Sequence, residues 1–199
     1  MKTETAKTQP DTAKSTSTRK RITLRLCYAA MGVALMAVCS WISVPFFTIP
    51  FTMQTFAVFF VIGLLGTKWG VMAILAYVGL GAAGVPVFAG FAAGVGKLLG
   101  PTGGYIVGFV LAALVSGPLL SLAKDNAVWR YLAMIAGLVT CYLLGTLWFM
   151  HVSGNFSWQG LGSALMACVV PFVVFDLLKL LLAVFLLHRL QPLLTRSLQ

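Results

Sequence analysis

Apolar residues fall along this 199-residue chain in six long runs, at approximately 22–44, 52–66, 70–87, 103–122, 128–150 and 161–187. Most approach the about 20 residues that a helix needs to cross the hydrocarbon core of a bilayer. The second and third are the shortest and have the least distinct edges. The pattern predicts an all-α integral membrane protein: a bundle of six transmembrane helices over 22–190, with a short tail over 191–199. Residues 1–21 are rich in Lys, Thr and Ser without apolar period and read as a disordered basic tail. The run from Ile22 to Val44 is too long for a signal-peptide core and lacks a clear small-residue cleavage site, so it reads as a spanning helix.

Composition sharpens this. The chain is 60% hydrophobic and 9% charged, with mean hydropathy +0.97, which leaves too little polar surface for a soluble domain. The net charge of +10 is concentrated at the start, where Lys2, Lys7, Lys14, Arg19, Lys20, Arg21 and Arg25 face only Glu4 and Asp11. Placing both termini in the cytoplasm puts Lys68, Lys124, Arg130, Arg189 and Arg196 on the same side as that cluster, as the positive-inside rule requires. Lys97 is then alone in an outer loop. Trp69 and Trp129 fall at the inner interface, and Trp41, Trp148 and Trp158 at the outer one. The charge sets topology; no basic surface remains to track nucleic acid.

Two outer connections are unusual because they are greasy. Residues 43–55 are apolar but interrupted by Pro45 and Pro50, which stop helices and favour extended backbone. Residues 85–105 are rich in glycine and apolar side chains. Non-helical backbone near membrane depth survives where protein buries it or where it lines a cavity, so both segments read as lids over the outer mouth.

The last run carries the chemistry. Asp176 and Lys179 are its only charged residues, and three-residue spacing places them on one helix face with Phe172 and Ala183. Each charge at bilayer depth costs about 2.5–3.5 kcal/mol on insertion scales. Two readings account for the pair: it staples helices together, or it meets a polar solute in an internal cavity.

Other motifs carry less. Gly96, Gly100, Gly104 and Gly108 recur every fourth residue and predict close helix packing, as do Ala30 and Ala34 on the first span, whose stripe fits either an external partner or internal packing. Gly96-Lys97 is not a phosphate-binding loop, because Phe91 and Leu98 occupy positions that need Gly and Ser or Thr. Cys27, Cys39, Cys141 and Cys168 show no metal spacing, and no nucleophile–base grouping or paired carboxylates stand ready for catalysis. The chain reads as a non-enzyme without a cofactor, and any ATP-driven work falls to partners.

Four separated segments, 49–56, 84–90, 99–105 and Pro171-Phe172 ahead of Asp176 and Lys179, closely resemble the BioY family, the biotin-specific S components of energy-coupling-factor (ECF) transporters. The likeness covers about residues 22–190. It implies a six-helix component of a cytoplasmic-membrane importer that captures biotin from outside and works with a transmembrane coupling protein and two ATPase subunits. It also implies that Asp176 and Lys179 form the biotin-binding polar pair, and that Ala30 and Ala34 contact the coupling protein. Biotin presents two ureido N–H donors that Asp176 would accept, while Lys179 would meet an acceptor or hold Asp176 ionised. Gln54, Phe88, Phe91 and Tyr105 from the lids would enclose its apolar rings. A different vitamin-sized solute and a purely structural scaffold are the alternative readings.

Overall fold

The computed structural model of the chain describes residues 10–45, 49–123 and 126–198, with side chains between 19 and 191. Helix dominates: α1 (Pro10–Trp41), α2 (Gln54–Ala82), α3 (Val95–Leu99), α4 (Gly103–Leu122), α5 (Ala127–Val152), α6 (Trp158–Cys168) and α7 (Val170–Leu198). Among the described residues five helices are long and apolar enough to cross a membrane, against the six runs expected. The difference lies in α2, which holds two of those runs. At Gly66 its backbone turns to φ 75°, a left-handed conformation that glycine adopts without Cβ strain.

The chain doubles back there. A Cβ built on Gly70 would lie 3.0 Å from the Ile62 Cα, although eight residues along a straight helix are about 12 Å apart. Gln54 and Tyr77, at the far ends of the two arms, are hydrogen bonded at 2.6 Å. Residues 54–65 and 67–82 are therefore antiparallel arms, and Gln191 of α7 donates to the Gly63 carbonyl near the bend at 2.7 Å.

The sixth run is interrupted as well. α6 ends at Cys168 and α7 starts at Val170, with Val169 at φ −123° and ψ −56° between them. Pro171 fits the break: it has no N–H to donate back to the preceding helix, and as the second residue of α7 it sits in a first turn, where that N–H is not needed.

The amino-terminal expectation needs correction. Residues 10–21, read as part of a disordered tail, are helical and continuous with the first span. Extending an existing helix avoids the nucleation cost, Pro10 suits a first helical turn, and Ala13, Lys14, Arg19, Lys20 and Arg21 are good helix formers. Residues 1–9 of that tail lie outside the described residues, as do 46–48 and Lys124. At the other end the expected tail continues α7 through Leu198.

The two connections expected as lids take different forms. The first is extended, as its prolines predict: β1 (Ser43–Val44) pairs antiparallel with β2 (Phe51–Thr52), with Ser43 opposite Thr52. The second contains a 3₁₀ turn at Ala89–Phe91 and the short α3. α4 and α5 pack closely because Gly104 faces Trp148 and Gly108 faces Cys141, with no room for a side chain at either glycine.

Candidate functional site

The hairpin, the start of α2, the second connection, α4, α5 and α7 converge on one cavity of about 80 Å³. At its centre are Asp176 and Lys179, only 5% and 6% exposed. Their i, i+3 spacing on α7 brings Lys179 Nζ to 2.7 Å from Asp176 Oδ1. Lys179 also donates to the main-chain carbonyl of Thr52 at 2.6 Å and stands 3.9 Å from the centre of the Phe51 ring. Its three donors thus have a carboxylate, a carbonyl and an aromatic face to meet.

The second carboxylate oxygen of Asp176 accepts from the Tyr142 hydroxyl on α5. Each carboxylate oxygen retains an unused lone pair, so the site offers a ligand acceptors rather than donors at this pole. The ionic pair is formally neutral, which is what makes two charges tolerable at this depth.

The expected residues separate into two groups. Asp176, Lys179, Gln54 and Tyr105 line the cavity together, with Phe51, Phe172, Phe109 and Cys141 among the other wall residues. Phe88 and Phe91 do not. The Phe88 ring fills the space that a Cβ on Gly81 would need, 2.1 Å from its Cζ, and meets Tyr77 edge-on with ring centres 5.7 Å apart. Phe91 is 62% exposed and stacks on Trp41 with centres 5.0 Å apart. From that loop Ala89 reaches the cavity instead.

Sequence reading missed Tyr142, Thr52 and Thr102. Tyr142 is an ordinary tyrosine in an apolar run, and Thr52 contributes through its backbone. Thr102 lines the cavity, as Lys97 does, and its hydroxyl is buried with no hydrogen-bond partner among the described residues. It stands at the N-cap of α4 without capping it.

On α1, Ala30 and Ala34 are exposed, together with Leu26 and Val38, while Gly32 and Met36 face inward. Gly32 packs against Val61, so the glycine face, not the alanine face, is the internal one.

A multi-pass helical bundle that closes a polar cluster inside an apolar cavity defines a membrane protein built to hold a small solute. The BioY family profile matches residues 7–196, and the chain belongs to that family. The chain is 43% identical over 169 residues to the biotin transporter BioY of Thermotoga maritima, covering 85% of this chain and 96% of the relative. It is 40% identical over 162 residues to a probable biotin transporter BioY of Pyrococcus horikoshii, covering 81% and 93%. Among solved structures, the crystal structure at 2.1 Å of the S-component for biotin from an ECF-type ABC transporter superposes with a TM-score of 0.75. It is 25% identical and covers 94% of this chain and 95% of that one.

Proposed function

We propose that this chain is the biotin-capturing S component of an ECF-type importer, a transport subunit and not an enzyme. The observation that carries it is the buried Asp176–Lys179 pair with Tyr142 hydrogen bonded to it, inside a largely apolar cavity, in a chain of the BioY family. The free lone pairs of Asp176 suit the two ureido N–H groups of biotin. Phe51, Tyr105, Phe109 and Phe172 supply apolar walls for its fused rings, and Lys97 with the unpartnered Thr102 hydroxyl suits its carboxylate.

In this reading the two arms of α2 are separate crossings, making six in all, with the cavity on the outer side and both termini in the cytoplasm of a bacterial cell. The basic residues Lys68, Arg130 and Arg189 support this orientation. The exposed Ala30–Ala34 stripe is the docking surface for a transmembrane coupling protein, which associates with two ATPase subunits.

Thermal unfolding of the purified protein tests the ligand. Biotin at a hundred times its dissociation constant stabilises the folded state by about 2.7 kcal/mol by linkage. Asp176→Asn abolishes that shift. A shift given equally by unrelated vitamins, or retained in Asp176→Asn, defeats the assignment. For docking, Ala34→Trp eliminates uptake in cells and leaves biotin binding intact; a variant that loses binding assigns the stripe to internal packing instead.

A further inference from the structure

Gln54 lines the cavity, yet its amide nitrogen is aimed away from it. Nε2 donates to the Tyr77 hydroxyl at 2.6 Å, and Tyr77 is completely buried in the second arm of α2, off the cavity wall. A phenol has one proton to give. Tyr77 gives it to the main-chain carbonyl of Val87 at 2.8 Å, a group that can only accept. Tyr77 therefore meets Gln54 as an acceptor, and only the N–H end of the amide fits against it.

The other end is held with matching polarity. The Thr52 hydroxyl donates to Gln54 Oε1 at 3.2 Å and accepts the Gln54 main-chain N–H at 3.3 Å. Reversing the amide would set Oε1 against an oxygen whose proton is committed elsewhere, and would leave the Thr52 proton facing an NH₂ group. Thr52 also holds Lys179 through its carbonyl, so Gln54 Oε1 belongs to the same pole of the cavity as the Asp176 carboxylate.

We infer that Tyr77 is a positioning residue for ligand specificity: it locks the Gln54 amide with its oxygen on the cavity side. The wall then presents two kinds of acceptor, a carboxylate and a carboxamide oxygen, to a planar group with neighbouring N–H donors. This rests on the biotin reading above, whose ureido group has that donor pattern. Tyr77 touches no ligand and acts through Gln54 alone.

The test is a double-mutant cycle on biotin affinity with Tyr77→Phe and Gln54→Met, in detergent-purified protein. Tyr77→Phe weakens biotin about tenfold, the scale of one neutral hydrogen bond. In the Gln54→Met background the same change alters affinity by less than about twofold. Equal losses in both backgrounds overturn the inference. A biotin analogue methylated on a ureido nitrogen adds a readout that general destabilisation does not move: Tyr77→Phe narrows the preference for biotin over the analogue, and an unchanged preference is contrary to the inference.

Two further variants guard the result. Ser40→Ala removes the other donor to the Val87 carbonyl, which lies 2.5 Å from the Ser40 hydroxyl, without touching Gln54. It keeps wild-type affinity; a loss equal to that of Tyr77→Phe assigns the effect to the Val87 segment and overturns the proposal. Should Tyr77→Phe fail to fold, Gln54→Met alone, which keeps the side-chain length and removes its oxygen, narrows the preference for biotin over the methylated analogue. An unchanged preference in Gln54→Met takes the Gln54 oxygen off the ligand and overturns the proposal equally. A wild-type protein that does not bind biotin defeats the biotin reading instead, in the same titration.

Discussion

The two connections expected to act as lids are both apolar and broken by proline, yet they are attached differently. The first, Ser43 to Thr52, is fastened to the Asp176–Lys179 cavity: Lys179 holds the Thr52 carbonyl, and Phe51 stacks on Phe172 with ring centres 6.5 Å apart. The second, from Ala83 to Thr102, is fastened to the bundle. Trp41 donates its indole N–H to the Pro86 carbonyl at 2.9 Å, Ser40 and Tyr77 meet the Val87 carbonyl, and Trp148 donates to the Gly100 carbonyl at 3.0 Å. Greasy, proline- and glycine-broken backbone thus becomes either a latch or a fixed wall. What decides is whether its carbonyls are met by the site's own cation or by scaffold side chains.

Three substitutions test that contrast, and a fourth, at Gly145, tests the helical wall of the same cavity. Lys179→Met removes the latch and leaves Asp176 buried without its counter-ion, a loss of about 3 kcal/mol or more. Equilibrium binding should show biotin affinity falling at least about a hundredfold. Gly145→Ala comes next, because its Cβ would lie 2.3 Å from the ring of Tyr105, a cavity wall residue. Overpacking there costs about 1–3 kcal/mol, seen as a lower melting temperature together with weaker binding. Trp41→Phe loosens only the fixed wall; stability drops by about 1 kcal/mol while biotin affinity stays within about twofold. Substantial loss of affinity there would mean that the second connection is also a latch. Phe91→Ala has the smallest effect, under about 0.5 kcal/mol on biotin binding, since the ring lies on Trp41 outside the cavity.

Much of this arrangement was legible in the chain, for identifiable reasons. A charge inside an apolar run is conspicuous, so Asp176 and Lys179 stand out without any structure. Prolines announce themselves too, and the extended hairpin and the break ahead of Pro171 follow from their chemistry. Phe88 and Phe91 were misplaced because aromatic character does not reveal direction; the empty side of Gly81 drew Phe88 inward, and Trp41 drew Phe91 across the surface. The Lys179–Thr52 contact joins residues 127 apart through a backbone carbonyl, which has no residue signature at all. Tyr142 became visible only when α5 was packed against α7.

The small volume of the cavity bears on kinetics. A space of about 80 Å³ is well below the roughly 300 Å³ at which pockets for small molecules begin. A solute of that size enters only as the walls part, and the bond from Lys179 to the Thr52 carbonyl ties one of those walls down. The association rate is then paced by that opening, and it levels off as ligand concentration rises instead of climbing toward the encounter limit. The same bond, once made across a bound solute, slows its departure as well.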